Sequence, residues 1–545
     1  MSRNTRRQFL KQAGLAGAGL AASSIFTVPG FSQGAGRTAK ASLGLVAPRK
    51  DFDRRVFGAF LEHLGRAVYT GVYEPGSKLS DKRGFRTDTL REVKELNVPI
   101  MRYPGGNFVS GYNWLDGVGP RKDRPTVLER AWNSLETNQF GTNDFIDWAK
   151  AVGTEPLLGF NLGTGTAEMA VAYVEYCNFA RGTKWSDLRR AHGYEQPHNV
   201  KYWCLGNEMD GPWQIGRLKA REYGWKARDI AQQIRVIDPE IQLIACGSSG
   251  PGMPTYLEWD REVLEECYDM VDGLSLHVYY GNADSTGGKT ERFLAMNIDM
   301  ERQIQETAAV CDYVQGLKRS SKKLWLSFDE WNVWYRANSG DHTNGHGKFA
   351  PKLLEEVYNL EDALLVGGLL NTLIRRSDRV RVGCLAQIVN VIAPLMTSDK
   401  GILRQSTYYP YAMALKYATG RVLDLQMEGE TYPIRAAGAR GTFARDMDVP
   451  FVDAVATYDA AKKQVAVFAL NRDLSNEREL ALSFDDITPS RVLACETITG
   501  SDLKAANSFE DPNKVVAQKL DAGTAGGKMT VKLPARSYTV IQLAV

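Results

Sequence analysis

Two glutamates each close an apolar segment of this chain, and together they predict acid–base chemistry. Glu208 follows Tyr-Trp-Cys-Leu-Gly-Asn, and Glu330 follows Leu-Trp-Leu-Ser-Phe-Asp. A carboxylate in such surroundings is costly unless a site pairs it or uses it. A solvated or ion-paired strand end explains either glutamate alone, so the pair is what favours a site. Two carboxylates accompanied by sugar-stacking aromatic rings are most often the machinery of glycosidic bond hydrolysis.

Polar and aromatic residues also follow the other strand-like runs of the chain, as a sugar-binding pocket would require. The hydroxyls of a sugar form hydrogen bonds with Asn, Gln, Glu and Tyr, and its apolar ring face packs against Trp. Segments of this kind begin at Glu62, Arg102, Asn207, His277, Asp329 and Gln387. Their recurrence at the ends of apolar runs predicts that they share one site.

The order of apolar and helical patterns predicts the scaffold that brings these segments together. Eight strand-like runs alternate with helical patterns of period near 3.6. The runs cover residues 56–60, 100–103, 156–160, 202–205, 243–245, 273–277, 324–328 and 382–387. Continuously apolar strands in this alternation are typical of a (β/α)8 TIM barrel, whose active site lies at the carboxyl ends of the strands. An open doubly wound sheet is the alternative, but no Gly-x-Gly-x-x-Gly follows an early strand.

Changes in pattern along the chain predict its domain organisation. Residues 54–420 are expected to form the catalytic (β/α)8 barrel of an α/β protein. Residues 421–545 contain short alternating runs separated by turn residues, which predict a C-terminal antiparallel β-sandwich, jelly-roll-like in its arrangement. Residues 42–53 are expected to add an N-terminal strand to that sandwich. Residues 1–41 are interpreted as a signal peptide.

The N-terminal segment predicts export of the protein. Arg6 and Arg7 precede Phe-Leu-Lys, an Ala/Gly/Leu-rich stretch covers residues 13–22, and Ala-Lys-Ala at 39–41 supplies a small-x-small cleavage motif. This order resembles a twin-arginine signal, whose export route carries folded proteins and suits free cysteines. We therefore expect a periplasmic or secreted protein. An ordinary secretory leader and a disordered basic tail are the alternatives.

Charge and cysteine usage exclude several classes of protein. The formal net charge is +3, and residues 1–41 hold six basic and no acidic groups, so +3 less 6 leaves −3 for the remainder. The basicity therefore gives no argument for nucleic acid. No apolar run after the leader is long enough to cross a membrane. Seven scattered cysteines without a Cys-x-x-Cys pair argue against a disulfide framework and a zinc site, so buried free thiols are expected.

Four of the polar segments extend into longer motifs that occur in a fixed order. They are Glu-His-Leu-Gly-Arg-Ala-Val-Tyr from Glu62, Arg-Tyr-Pro-Gly-Gly-Asn-Phe-Val-Ser-Gly-Tyr-Asn-Trp from Arg102, Gly-Asn-Glu-Met-Asp-Gly-Pro-Trp from Gly206, and Asp-Glu-Trp-Asn-Val-Trp-Tyr from Asp329. This ordered set resembles glycoside hydrolase family 51, the retaining α-L-arabinofuranosidases. The resemblance covers nearly the whole chain after the leader, and each motif alone is weak evidence.

The resemblance implies the catalytic roles, and the chemistry of the residues agrees with them. Glu208 matches the acid/base and Glu330 the nucleophile, so Glu208 needs a raised pKa and Glu330 must stay ionised. Asn207 is placed to hydrogen-bond the sugar 2-hydroxyl, and Tyr279 is placed to donate to Glu330. For a retaining enzyme we expect the two carboxyl groups to lie about 5–5.5 Å apart.

By the same resemblance, further residues line the sugar pocket. The predicted substrate-binding set is Glu62, Arg102, Asn107, Trp132, Asn207, His277, Tyr279, Trp334 and Gln387. Arg102 and His277 are explained equally well as groups that position other residues. No metal and no cofactor is expected, because two carboxylates suffice for both half-reactions. His342 and His346 have a spacing that suits a metal, but their glycine-rich surroundings favour a loop.

The sequence thus predicts a retaining, exo-acting α-L-arabinofuranosidase. It is expected to hydrolyse terminal non-reducing α-L-arabinofuranosides of arabinoxylan, arabinan or derived oligosaccharides by double displacement. Family resemblance implies a homo-oligomer, commonly a hexamer. The alternatives are another retaining glycosidase of the same clan, such as a β-xylosidase or an endoglucanase, and a non-catalytic carbohydrate-binding relative. The presence of both glutamates with their neighbours argues against the last of these.

Overall fold

Eight parallel strands close into a barrel, which confirms the predicted fold class. The structure is a computed structural model that describes residues 37–44, 51–283, 286–335, 345–436, 445–523 and 525–545. The barrel strands are β2 (Gly58–Phe60), β3 (Ile100–Tyr103), β6 (Glu155–Gly159), β7 (Tyr202–Leu205), β8 (Gln242–Ala245), β9 (Gly273–Tyr280), β10 (Trp325–Val333) and β11 (Val380–Leu385). They close in chain order. Every residue of β3 and β7 is buried, because such strands are covered on both faces.

Helices connect the barrel strands and cover the barrel from outside. In the described part of the chain they are α1 (Thr87–Leu96), α2 (Thr142–Val152), α3 (Ala167–Asn178), α4 (Lys184–Ala191), α5 (Ala220–Ile237), α6 (Glu258–Cys267), α7 (Thr290–Phe293), α8 (Met296–Lys318), α9 (Leu360–Arg375) and α10 (Tyr408–Tyr417). Short 3-10 helices cover Arg54–Phe57, Asn107–Gly111, Trp114–Gly117 and Arg121–Asp123. Helical crossovers of this kind are what parallel neighbouring strands require.

Helix α9 lies between the barrel and the C-terminal domain. Asn359 caps its first turn, because the Asn359 side chain accepts a hydrogen bond from the backbone N–H of Asp362 at 3.2 Å. The helix is buried from Leu360 through Ile374, as expected for a helix without a solvent face. Gly367 permits the close approach of the second domain, since a Cβ there would lie 2.5 Å from the ring of Tyr538.

The C-terminal domain is a sandwich of two sheets. Its strands are β14 (Arg421–Val422), β15 (Asp424–Glu428), β16 (Thr431–Ile434), β17 (Met447–Pro450), β18 (Val452–Asp459), β19 (Gln464–Asn471), β20 (Arg478–Phe484), β21 (Arg491–Thr499), β22 (Gln518–Lys519), β23 (Lys528–Leu533) and β24 (Ser537–Ala544). One sheet has the order β14-β18-β19-β24-β21-β22, and the other contains β15, β20 and β23, while β16 and β17 pair with each other as a separate two-stranded sheet. Buried and accessible residues alternate along β20 and β23, which is the pattern of a sheet with one covered face.

The first strand, β1 (Thr38–Gly44), belongs to the sandwich although it precedes the barrel. It pairs antiparallel with β15 and parallel with β20, so this sheet is mixed rather than purely antiparallel. The whole barrel separates β1 from β15 and β20 in sequence, so no hairpin turn fixes the direction of their pairing. Ala39 and Ala41 are buried in the sandwich core, so the strand begins before the expected residue 42. The proposed cleavage motif at 39–41 therefore falls inside a buried strand, whereas residues 1–36 lie outside the described part of the chain.

Several further predictions concern the core and the surface. Trp148 and Trp203 are fully buried, as predicted, and Trp203 stacks on Phe160 with ring centroids 4.6 Å apart. All seven cysteines are free and buried. Among the described residues, every helix is too short or too polar to cross a bilayer.

Two hairpins follow barrel strands: β4–β5 (Val127–Leu128 and Leu135–Glu136) after β3, and β12–β13 (Leu395–Ser398 and Gly401–Arg404) after β11.

Candidate active site

Glu208 and Glu330 face each other across the mouth of the barrel. Glu208 follows β7, and Glu330 lies near the end of β10. Both residues are buried, and a carboxylate oxygen of one lies within 4.8 Å of a carboxylate oxygen of the other. Retaining glycosidases hold these groups about 5–5.5 Å apart, whereas inverting enzymes need roughly 6.5–9.5 Å to accommodate a water molecule. The observed separation fits double displacement.

The backbone presents both glutamates in unusual local conformations. Glu208 has a φ of 46°, a left-handed conformation that costs a residue with a side chain about 1–2 kcal/mol. Strand β10 loses regular register with both neighbours between Ser327 and Trp331. Such a bulge re-aims side chains at the rim of a barrel. The fold therefore sets the direction of both carboxyl groups in ways that an ideal strand would not.

Glu330 accepts two hydrogen bonds from basic and phenolic donors. Arg102 Nη1 donates to one carboxylate oxygen at 2.6 Å, and Tyr279 Oη donates to the other at 2.8 Å. The second contact is the one that the sequence predicted for Tyr279. The two donors fix the orientation of the Glu330 carboxylate, as a nucleophile requires.

Glu208 occupies an environment that favours its neutral form. Burial raises the pKa of Glu208, and the negative charge of Glu330 raises it further, although the hydrogen bond with His277 acts in the opposite direction. His277 Nδ1 lies 3.0 Å from Oε1 of Glu208, and Trp213 Nε1 donates to Oε2 at 2.6 Å. A raised pKa is what a general acid requires near neutral pH.

Arg102 and Asp329 are a buried pair of opposite charge next to the two glutamates. Arg102 Nη2 donates to the side-chain oxygen of Asn207 at 2.7 Å, and its Nε lies 3.5 Å from Asp329 Oδ2. Burial favours neutral Asp329, but the positive charges of Arg102 and His277 lower the pKa of Asp329 to about 2. Asp329 is completely buried, so these cations are what keeps it ionised.

Glu62 is the centre of a second polar cluster at the end of β2. Its carboxylate accepts hydrogen bonds from the Phe108 backbone N–H at 2.9 Å and from Trp132 Nε1 at 3.0 Å. Gln387 accepts from the Glu62 backbone N–H at 2.9 Å. Burial raises the pKa of Glu62 to about 8, against these hydrogen bonds. Gly106 packs under the carboxylate, since a Cβ there would lie 2.8 Å from a Glu62 oxygen.

The remaining predicted residues join the two clusters into one site. Asn207 Nδ2 lies 3.3 Å from the side-chain oxygen of Asn107. The rings of Tyr279 and Trp334 meet edge to face, with centroids 5.4 Å apart. Glu330 is close enough to Glu62 for its negative charge to raise the pKa of Glu62. The structure thus brings all eleven predicted residues together, while their individual roles stay predictions.

Two residues of the site were not singled out from the sequence. Trp213 donates to Glu208, and Asp329 contacts both Arg102 and His277. Each stood inside a motif that was already recognised, five residues after one glutamate and one residue before the other. Proximity in sequence was the available signal, but the direction of each side chain depends on the turn after β7 and on the bulge in β10.

The spacing of three site residues would also suit a metal ion. Glu208, His277 and Glu330 each offer a ligand atom, and these atoms lie within 4.8 Å of one another. Each carboxylate already accepts hydrogen bonds from protein donors, namely Trp213 for Glu208 and Arg102 and Tyr279 for Glu330. The expectation of metal-free chemistry remains a prediction, and His342 lies outside the described residues.

A closed parallel barrel with two buried carboxyl groups at this separation, at the carboxyl ends of its strands, defines a glycoside hydrolase of the retaining class. Two family models match most of the chain. The alpha-L-arabinofuranosidase 1 domain matches residues 92–315, and the alpha-L-arabinofuranosidase C-terminal domain matches residues 329–537. The chain belongs to glycoside hydrolase family 51, the family of the α-L-arabinofuranosidases.

Similar proteins support this assignment over nearly the full length. An intracellular exo-alpha-(1->5)-L-arabinofuranosidase of Halalkalibacterium halodurans is 45% identical, and the match covers 90% of this chain and 96% of that protein. An exo-alpha-(1->6)-L-arabinofuranosidase of Bifidobacterium longum is 41% identical, with 91% and 95% covered. A solved family 51 alpha-L-arabinofuranosidase from Bifidobacterium longum has a TM-score of 0.86 at 39% identity, with 92% and 99% covered.

The prediction of twin-arginine export to the periplasm or medium is wrong. Four relatives between 43% and 45% identical are named intracellular. The structure adds a physical objection, because the predicted cleavage motif at 39–41 is part of β1, where Ala39 and Ala41 pack in the sandwich core. Small residues at alternate positions suit a tightly packed strand as well as a cleavage site, which explains the misread motif at 39–41. The other basis of the prediction, Arg6 and Arg7, lies outside the described residues.

Proposed function

We infer that this chain is a retaining, exo-acting α-L-arabinofuranosidase that removes terminal non-reducing α-L-arabinofuranosyl groups from arabinoxylan, arabinan or derived oligosaccharides. The observation that carries the inference is the Glu208–Glu330 pair within 4.8 Å, placed in a family 51 barrel. The names of the Halalkalibacterium halodurans and Bifidobacterium longum relatives both state exo action, but one gives a 1,5-linkage and the other a 1,6-linkage. The names therefore support the removal of arabinofuranosyl groups more strongly than they support any one linkage.

In the first half-reaction we assign the attack to Glu330. A carboxylate oxygen of Glu330 forms a bond to the anomeric carbon while the bond from that carbon to the leaving oxygen breaks. Glu208 gives its proton to the leaving oxygen, so the aglycone departs as a neutral alcohol. The result is an arabinosyl ester on Glu330, and the negative charge has passed from Glu330 to Glu208.

The second half-reaction reverses these roles with water. Glu208, now a carboxylate, takes a proton from a water molecule whose oxygen attacks the anomeric carbon. The ester bond to Glu330 breaks, and the electron pair returns to the Glu330 carboxylate. Two inversions at the same carbon give net retention, and Glu208 is protonated again for the next cycle.

For the sugar itself we propose a pocket built by the remaining site residues. Glu62, Asn107 and Gln387 would bind arabinose hydroxyls, and Asn207 would bind the 2-hydroxyl. Trp132 and Trp334 would cover the apolar faces of the ring. Support comes from Trp132, whose indole N–H is held by Glu62 at 3.0 Å, so the wall and the hydroxyl-binding carboxyl group form one unit.

The direct test is turnover of aryl glycosides by the purified protein. We expect hydrolysis of 4-nitrophenyl α-L-arabinofuranoside, with the first product keeping the α configuration by proton NMR. Turnover of the corresponding β-xyloside or β-glucoside instead would assign the chain another specificity of the same clan. Binding of arabino-oligosaccharides in a calorimeter without hydrolysis would indicate a non-catalytic relative.

We also propose that the protein assembles into a homo-oligomer, hexameric by resemblance to its family. Large apolar side chains are exposed on two outer helices: Trp225 and Val236 on α5, and Tyr313 and Leu317 on α8. Exposed apolar side chains of this kind are common in subunit interfaces. Light scattering coupled to gel filtration would report the mass, and a monomer of 60.5 kDa would contradict the proposal.

A further inference from the structure

One buried imidazole contacts every catalytic carboxyl group of the site. His277 Nδ1 lies 3.0 Å from Glu208 Oε1 and 3.6 Å from Glu330 Oε2. On the opposite side of the ring, Nε2 lies 3.3 Å from Asp329 Oδ1 and 3.1 Å from the hydroxyl of Ser275. Both nitrogens therefore face carboxylate oxygens. A neutral ring has only one N–H and cannot donate in both directions, whereas an imidazolium can.

Asp329 is poorly placed to touch a substrate. It is completely buried, and its neighbours are protein groups on all sides. One oxygen accepts a hydrogen bond from Ser275 at 2.5 Å, and the other accepts from the Cys204 thiol at 3.3 Å. A buried carboxylate is costly unless it is paired, and the double displacement assigned above gives it no chemical step. The contact of Asp329 with His277 explains why the site contains this buried carboxylate.

The charges around the ring show what state the cluster prefers. The carboxyl groups in contact with His277 are those of Glu208, Asp329 and Glu330. The other titratable or charged groups that contact these carboxylates are Arg102 from β3, Cys204 from β7 and Tyr279 from the same strand as His277. Burial favours the neutral ring, but the negative charges of Glu330, Asp329 and Glu208 raise the pKa of His277 to about 10. With Glu208 protonated, two anions then face two cations.

We propose that Asp329 is a positioning residue that holds His277 as an imidazolium, and that this one positive charge is shared between Glu208 and Glu330. The inference rests on the proposed function and extends it. The negative charge lies on Glu330 before glycosylation and on Glu208 after it. Because Nδ1 is within 3.6 Å of both carboxylates, the same N–H stabilises whichever of them is ionised, without a rearrangement of the barrel.

The charge transfer makes a specific demand on Glu208 in the glycosyl-enzyme. There, Glu330 is a neutral ester, and Glu208 must be ionised to accept the proton of the attacking water. The imidazolium at 3.0 Å lowers the pKa of Glu208 in that state. In the free enzyme the ionised Glu330 competes for the same N–H and raises the pKa of Glu208. The ring thus helps Glu208 to act first as an acid and then as a base.

The first experiment measures Glu208 in the glycosyl-enzyme. With 2,4-dinitrophenyl α-L-arabinofuranoside the leaving group needs no proton, so kcat reports hydrolysis of the ester once a burst of dinitrophenol is seen. In His277→Gln the carboxyl group keeps its proton to higher pH, so we expect the acid limb of kcat to move upward by about one pH unit. An unmoved acid limb in a variant that still shows a burst would overturn the proposal.

The second experiment asks whether Asp329 acts through His277. We expect Asp329→Asn to lower kcat/KM about 10- to 100-fold in the wild-type background, the size of one charge-assisted hydrogen bond. In the His277→Gln background the same change should cost less than about 3-fold, because the ring that it serves is gone. Costs that multiply in the double variant would show that Asp329 acts elsewhere, for example through Arg102, and would refute the assignment.

A matched control and the wild-type enzyme keep these outcomes distinct. Asp453 is a partly buried aspartate outside the site, ion-paired with Arg375 at 2.7 Å. Asp453→Asn should change the melting temperature but leave both pH limbs of kcat in place. If Asp329→Asn does not fold, the His277→Gln profile still decides the question. A wild-type protein without turnover of the arabinofuranoside would instead contradict the proposed function.

Discussion

Trp213 Nε1 donates a hydrogen bond to Glu208 Oε2 at 2.6 Å while about half of the Trp213 surface, 52%, remains exposed to solvent. The indole therefore connects the buried acid/base to the outer surface of the site. An N–H donor favours the ionised carboxylate, so it opposes the effect of burial on Glu208. Removing the donor should change the titration of Glu208 without removing the carboxyl group.

We expect Trp213→Phe to move the alkaline limb of kcat/KM to higher pH. This limb reports the loss of the acid proton from Glu208, and without the indole donor that proton is held more tightly. The shift should be about one pH unit, the lower end of the value of one hydrogen bond to a charged group, because the indole is half exposed. Trp185→Phe is the control, because Trp185 is partly exposed on α4 and is not one of the site residues. A downward shift would contradict the prediction.

Substitution of the two glutamates should separate their roles by azide rescue. Glu330→Ala should lose turnover by about 10⁴-fold or more, and azide should restore it with a β-configured arabinosyl azide as product. Glu208→Ala should still form the glycosyl-enzyme from the dinitrophenyl glycoside, whose leaving group needs no proton. Azide should then give the α-configured product. Polarimetry and NMR identify the anomers, and exchanged products between the two variants would mean exchanged roles.

Glu62 should make the stability of the protein depend on pH. Its pKa is raised by burial to about 8 in the folded state, against about 4.3 in an unfolded chain. Between these values the unfolded state releases the proton and the folded state does not, so stability falls as pH rises toward 8. Glu62→Gln removes this penalty, and its melting temperature relative to wild type should be about 2 °C or more higher at pH 8 than at pH 5.

The control for that comparison is Glu95→Gln, because the Glu95 side chain is largely exposed on α1. Its melting temperature relative to wild type should be the same at both pH values. Equal offsets at pH 5 and pH 8 for Glu62→Gln would instead mean that Glu62 is ionised in the folded protein throughout this range. Scanning calorimetry of the three proteins in matched buffers provides the measurement.

Activity should be insensitive to chelators. The two half-reactions need a proton donor, a nucleophile and water, and each of these has been assigned without a metal. Dialysis against EDTA should therefore leave kcat within error of the untreated enzyme. A large loss that added divalent metal reverses would contradict this, and would direct attention to the Glu208, His277 and Glu330 cluster or to the segment containing His342 and His346.

The buried position of β1 predicts where the folded chain can be shortened. A protein that begins at Arg37 keeps the whole strand, whereas one that begins at Ser42 loses the buried Ala39 and Ala41 and their pairing with β15 and β20. We expect the shorter protein to melt about 5 °C or more below the longer one, or to aggregate. Equal melting temperatures would indicate that the first half of β1 contributes nothing to the sandwich.

Much of the fold and of the candidate site could be predicted from the sequence. The barrel followed from the alternation of apolar runs with helical patterns, because strands buried on both faces must be apolar throughout. The polar residues at strand ends identified the catalytic face, since the carboxyl ends of parallel strands meet at one end of a barrel. The ordered motifs then gave Glu208 and Glu330 as a pair, and the family relationship confirmed the class of enzyme.

Tertiary structure alone decided which neighbours each of these groups has. Asp329 and Glu330 are adjacent in sequence, yet Asp329 contacts Cys204 and Ser275 beneath the site while Glu330 faces its mouth. The bulge in β10 turns their side chains in different directions, and no pattern in the local sequence predicts such a bulge. Likewise β1 pairs with strands that lie hundreds of positions further along the chain. The periodicity of apolar residues predicts which face of a segment is buried. Which strand a segment pairs with depends on the positions that the closed barrel gives to the segments before and after it.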